Sequence, residues 1–326
     1  MKVWGYKARI IAIASFLCLS PAVGGAEFPE KPIQVLVGWP AGSQNDMTDR
    51  AIAQVLQKIL KQPVIIQNVP GGGGALVLGK IKLVNADGYT LFQTGTTMYT
   101  LTPHTRSVPY DSFKDFAYLA QHASFQPILE VRGDGPWKSY EELIAYVKEN
   151  PKKLKYTTTG IGGSYHLMME YLAMHEKLQW IHVPFAGGTE CIAALLGGHV
   201  DALAIAFQTE LEHIRTGRIR VLLSLSPKRV TLFPDVPTAL EKGYDYAIRP
   251  GGCWTVPAGT PKNIQQKLES ALLQAFQDQM VIGVLNKWGW AIDTPDSEAL
   301  TKIIAKDYKI SGELMKKFGL GIYKKE

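Results

Sequence analysis

The chain has 326 residues, 46% of them hydrophobic, and a formal net charge of +6. That length suffices for a sizeable core, and at roughly 100–200 residues per domain it implies two lobes. Lys2, Lys7 and Arg9 supply half of the charge excess, so the basic balance excludes no more than a strongly acidic chain and does not point to nucleic acid.

Lys2, Lys7 and Arg9 precede the apolar run 10–19, which is too short to span a bilayer. Gly24-Gly25-Ala26 offers small residues for cleavage. Residues 1–26 are therefore expected to be an export signal, with the mature chain starting near Glu27. Cys18 lies in that segment, leaving Cys191 and Cys253. Their spacing allows either a disulfide or two buried thiols. No metal-ligand spacing exists among the cysteines and histidines.

Ile33 to Val37 is an apolar run suited to a strand covered on both faces. Pro40 to Ser43 then forms a small polar loop. Ile52, Val55, Leu56 and Ile59 follow at helical spacing. Strands are predicted at Pro63 to Val69 and Tyr89 to Thr94, with Gly71 to Gly74 as a break and Ala75 to Val84 as a helix. A second series starts after Phe125. It has strands at Ile128 to Val131, Leu154 to Thr158, Ile181 to Val183, Asp201 to Ala206 and Val221 to Leu225. Helices are predicted at Tyr140 to Lys148, Tyr165 to Met174 and after Thr189. Beyond Pro257 the pattern is helical, beginning with Thr260 as N-cap and Pro261 at the first helical position. Alternating strands and helices predict an α/β protein with parallel sheets.

Three places repeat one local design, a strand, a glycine-bearing loop and a helix start: near 40, 160 and 186. Free N–H groups and the dipole favour anions at such ends. Ser43 and Asp46 also fit a capping box, which is compatible with a ligand role because a cap satisfies only part of the free N–H set. Gly74 to Lys80, GALVLGK, matches part of a phosphate loop. Ile81 stands where magnesium needs a hydroxyl, and the interior is apolar, so it is set aside. His175-Glu176 matches the start of a zinc-protease motif, but Gln179 replaces the second histidine. Ser164 and His166 lie near each other without a nucleophile elbow. Trp39, Tyr99, Tyr165 and Trp254 are aromatics at strand ends or loops, either core or the apolar wall of a pocket. Arg249, near Pro250-Gly251-Gly252, is either a bidentate partner for a carboxylate or a solvated surface residue, and the second is expected.

FPEKPIQVLV, PAGSQND, NVPGGGG, ADGYTL, TTGIGGSYH, HVPFAGG, LLGGHVDA, FPDVPTALEKGY and VPAGTP occur in this order from about Phe28 to Phe318. In these segments the chain resembles the substrate-binding proteins of tripartite tricarboxylate transporters, the TctC/Bug type. The resemblance implies a two-lobed periplasmic-binding-protein (Venus-flytrap) fold, each lobe a mostly parallel sheet flanked by helices. It assigns 27–125 and 249–326 to lobe 1 and 126–248 to lobe 2. It implies a periplasmic protein that catalyses nothing and needs no cofactor or metal. The ligand would be a di- or tricarboxylate or an aromatic carboxylate. The partners would be that carboxylate and the membrane permease subunits, with no nucleic acid, and the protein acting as a monomer.

The carried-over ligand set comprises Trp39, Ala41, Gly42, Ser43, Gln44, Asn45 and Asp46 from the first loop. Thr96 and Tyr99 follow the third strand. Thr159, Gly160, Gly162, Ser164 and His166 form the opposing loop, with Gly187, Gly188 and Phe207 nearby. The chain departs from the family's pattern at Gly38-Trp39 (where proline-phenylalanine is usual), at Ser43 (glycine) and at Asp49 (alanine). These changes are expected to alter the pocket mouth. Closure is expected to hinge near Phe125 and near Tyr246 to Trp254. Two other functional classes stay open at this point: an orphan sensor for a membrane signalling protein, and an exported hydrolase using Ser164 and His166.

Overall fold

The computed structural model describes Met1 and residues 28–206, 210–230 and 232–324. The expected signal segment and Phe207 lie outside the described residues. Strand β1 (Ile33–Val37) enters helix α1 (Gln44–Leu60), whose buried Ile52, Val55 and Leu56 pack on the sheet as the spacing predicts. Strand β2 (Val64–Asn68) follows. The predicted helix over 75–84 is broken into a four-residue turn, α2 (Ala75–Leu78), and a 3-10 stretch, Gly79–Leu83. Ala75, Val77 and Leu78 are buried, which suits apolar packing and not a phosphate loop. Strand β3 (Thr90–Gly95) leads into two single-turn helices, α3 (Thr97–Thr100) and α4 (Thr102–Thr105).

Strand β4 (Phe116–Ser124), absent from the sequence reading, completes this side before the chain crosses over at 125–126. The second lobe follows the expected order, with a short helix at Leu211–Arg215 added to it. It runs through β5 (Pro127–Arg132), α5 (Tyr140–Glu149), β6 (Lys155–Thr157), α6 (Ser164–Glu176), β7 (Ile181–His182), α7 (Gly188–Leu196), β8 (Ala202–Ala206), α8 (Leu211–Arg215) and β9 (Ile219–Ser224). The return strand β10 (Gly251–Pro257) was also absent from that reading. Helices α9 (Lys262–Phe276), α10 (Gln279–Lys287) and α11 (Ser297–Lys317) close the fold. Pro261, not Thr260, occupies the cap of α9, and the buried Thr260 hydroxyl finds no partner.

Among the described residues the strands form two five-stranded sheets, ordered β2-β1-β3-β10-β4 and β7-β6-β8-β5-β9. In each, the strand arriving from the other lobe runs antiparallel to both neighbours, and the other four share one direction. The two sheets are thus built to one plan, joined by paired crossings. The Phe125 N–H donates to the Pro250 carbonyl at 2.7 Å, tying the crossings together.

Helix α11 reaches the cores of both lobes. Its Leu300 and Ile304 join the core around Phe92 and Tyr99 in the first lobe. Its Leu314 and Met315 join the core around Tyr156 and Leu172 in the second. A helix of 21 residues is about 30 Å long, enough to strap both lobes. The two cysteines are free thiols buried in different lobes, so the disulfide alternative is excluded.

Candidate functional site

The β1–α1 unit of the first lobe and the β6–α6 unit of the second end at one cleft beside the crossings, a cavity of about 740 Å³. Such a volume falls in the range of small-molecule sites. Trp39 from the β1–α1 loop and Asn45 from the first turn of α1 line it, with Thr97, Met98, Thr102 and Arg106 from the segment after β3. Phe125, Pro250 and Gly251 form its floor, and Thr159 to Tyr165 except Gly160 its second-lobe wall. The wall mixes apolar side chains with polar ones that include Asn45, Thr97, Thr102, Thr159 and Ser164. Trp39 Nε1 and Asn45 Oδ1 are buried behind its surface without a hydrogen-bond partner, as are the indole nitrogens of Trp180, Trp288 and Trp290. A buried indole N–H ordinarily finds an acceptor.

The three helix starts are not equivalent. In α1, Ser43 Oγ accepts from the Asp46 N–H at 3.2 Å, and Asp46 Oδ2 accepts from the Gly42 N–H at 2.8 Å and from Arg50 Nε at 3.0 Å. Asn68 bonds the other oxygen at 2.7 Å. Burial opposes ionisation of Asp46, but these donors outweigh it and hold the carboxyl below its ordinary range. The α1 end therefore already carries an anion. In α7, Glu190 in the first turn accepts from the Ala186 N–H at 3.0 Å. Of these three, only α6 combines a glycine cap (Gly163), no side-chain cap bond and no acid in its first turn. The sequence suggested three anion-competent ends; the structure leaves one of them free for an anion.

The loop before α6 is held from behind. The Gly162 N–H donates to His166 Nδ1 at 2.9 Å, which assigns the ring its Nε2–H tautomer. His166 stacks on His182 with centroids 4.0 Å apart, and Thr158 Oγ1 lies 2.9 Å from His182 Nε2. Burial lowers the pKa of both imidazoles, with Glu170 opposing at His166; the neighbouring His166 adds to the lowering at His182, which reaches about 4. Gly162 takes φ +74°, a left-handed conformation that favours glycine, and Met315 at the end of α11 packs against it.

A family model described as the tripartite tricarboxylate transporter family receptor, TctC, matches residues 48–320. The chain belongs to this receptor family. It is 35% identical over 317 residues to the "UPF0065 protein in gbd 5′ region" of Cupriavidus necator, covering 96% of both chains. Its fold matches a crystal structure of a TctC solute-binding protein from Polaromonas with TM-score 0.83 and 27% identity, covering 89% of this chain and all of that one. It also matches MatC from Rhodopseudomonas palustris, solved with bound malate, at TM-score 0.67 and 25% identity over 88% of this chain and 99% of that one.

Of the site residues expected in this receptor, the structure brings Trp39, Asn45, Thr159, Gly162 and Ser164 together in the cleft. Others stand elsewhere. Tyr99 is fully buried, its hydroxyl 2.9 Å from Thr255 Oγ1, in the first-lobe core. Thr96 is buried, its hydroxyl donating to the Arg249 carbonyl and accepting from the Gly251 N–H, so it braces the return crossing. Asp46 is a cap and His166 a loop support, as described. Ala41, Gly42, Ser43 and Gln44 belong to the capped turn, Gly160 is absent from the cleft wall, and Gly187 and Gly188 start α7; none of these lines the cavity. Asp49 is fully buried within α1, away from the pocket mouth. Arg249 pairs with Asp293 at 3.3 Å and is largely covered, not solvated. The sequence reading missed Arg106, Phe125 and Met98 as wall residues. The two single-turn helices after β3 that present two of them carry no periodic signal.

Proposed function

We propose that this receptor captures a small carboxylate in the cleft and passes it, from the periplasm, to the membrane permease subunits of a tripartite tricarboxylate-type transporter. The observation that carries the reading is the uncapped α6 end on the second-lobe wall of the cleft, with no acid in its first turn. A carboxylate accepts from such backbone N–H groups, and charge assistance strengthens the bonds. The bound malate of the MatC relative supports the same ligand class. The sequence departures at Trp39 and Ser43 then separate: Trp39 faces the cleft, and Ser43 serves the cap.

The family is one of solute-binding receptors. The hydrolase alternative also lacks its base, because His166 Nδ1 is engaged by Gly162 and Nε2 faces Glu170 at 3.9 Å.

The test is a thermal-shift and calorimetry panel of di-, tri- and monocarboxylates. The protein is first unfolded and refolded to strip any ligand carried from expression. A cognate acid at 100 times its dissociation constant adds about 2.7 kcal/mol of stability, and Ser164→Trp removes the shift without changing the folded spectrum. A panel that leaves the stripped protein's melting temperature unmoved overturns the reading.

A further inference from the structure

Among the described residues that line the cleft, Arg106 alone is charged. It follows α4 on the first-lobe wall and is exposed. One guanidinium N–H donates to the Gly72 carbonyl in the glycine-rich turn. Gly72 has φ +55°, and a Cβ there would lie 3.4 Å from the guanidinium. Glycine therefore serves both the backbone conformation and the berth of the arginine.

A guanidinium has five N–H donors in a planar fork. The Gly72 carbonyl engages one, and Arg106 forms no ion pair among the described residues. Arg50 and Arg249, by contrast, are paired with Asp46 and Asp293. The cleft thus has two electropositive poles, Arg106 in the first lobe and the α6 N-terminus in the second, with apolar Trp39, Met98 and Phe125 among the wall residues. A monoacid would satisfy one pole and leave the other facing an apolar chain.

We propose that Arg106 is the specificity-determining residue of this receptor, holding the second anionic group of a diacid whose first carboxylate rests on the α6 N-terminus. The inference rests on the carboxylate-capture reading and names its substrate class.

The test is calorimetry of the stripped, refolded protein with matched pairs of equal chain length: butyrate and succinate, hexanoate and adipate, octanoate and suberate. The wild type prefers the best diacid over its monoacid by about 10- to 100-fold, as expected for a charge-assisted bond. Arg106→Gln reduces that ratio to within about threefold. Arg106→Lys keeps part of it, having the charge without the fork. A ratio that persists in Arg106→Gln, or a wild type that binds monoacids as tightly as diacids, overturns the role of Arg106 while leaving carboxylate capture intact. Failure of every acid to bind the wild type overturns both.

Discussion

Replacing His166 by phenylalanine separates the support of the ligand loop from its chemistry. The ring stack on His182 at 4.0 Å survives, since phenylalanine presents a similar flat face. The acceptor for the buried Gly162 N–H does not. An orphaned buried donor costs about 1–3 kcal/mol, so urea denaturation at pH 7.5 should show a loss of that size. Because the orphaned N–H belongs to the cleft wall, part of the loss should appear as about 5- to 100-fold weaker ligand binding by calorimetry. His166→Asn, whose Oδ1 can take the place of Nδ1, should recover part of both.

The same contact sets a pH response. Both imidazoles resist protonation in the folded state, whereas an unfolded histidine titrates near 6.5. The contribution of this pair to stability is therefore level above pH 6.5 and is lost as pH drops toward about 4, where the folded His182 takes its proton. The full His182 shift corresponds to about 3 kcal/mol; with the ring partly open to solvent, about 1–2 kcal/mol is the expected loss. Unchanged stability and affinity in His166→Phe, together with a flat acid limb, would refute the reasoning.

Asp49 is fully buried with both carboxylate oxygens unpartnered; burial, reinforced by the charge of Asp46 and opposed by Arg50, raises its pKa well above the usual range. Its ionisation is thus a burden at neutral pH that vanishes in acid, and Asp49→Asn should raise stability by about 1–2 kcal/mol at pH 7.5 and by less near pH 4, read by denaturant melts. Gly252 has no room for a side chain: a Cβ would lie 1.8 Å from His122 Cε1, the ring that accepts the Trp254 indole N–H at 3.0 Å. Gly252→Ala should therefore cost about 2–4 kcal/mol through overpacking and the lost bond, with a matching fall in melting temperature.

That glycine explains one thing the sequence hid. Gly251 and Gly252 signal a loop by composition, yet they begin a strand fully buried between β3 and β4, where β4 approaches too closely for any Cβ. Strand β4 was hidden for a related reason: buried Gln121, His122 and Ser124 interrupt its apolar run. Elements with a clear period, such as α1 and α9, were legible almost to the residue. In the site, the strand–loop–helix ends were legible because glycine, hydroxyl and helix start adjoin in sequence. Which of those ends is free was not. That depends on where the Glu190 carboxylate folds back onto Ala186 and on how Asp46 is satisfied by Asn68, contacts across 4 and 22 residues. Arg106 was illegible because its meaning lies in a carbonyl 34 residues away and in the neutrality of the rest of the cleft. The span of α11 across both lobes also escaped the reading, since its apolar stripe is continuous and does not announce two different cores.

The central claim is that a carboxylate rests between the two lobes on the α6 N-terminus. A crystal structure grown with the tightest acid of the panel tests it most directly. The account predicts carboxylate density at the first turn of α6, beside Ser164. Ligand density outside the cleft, or a carboxylate bound at the capped α1 end with α6 left bare, would contradict it.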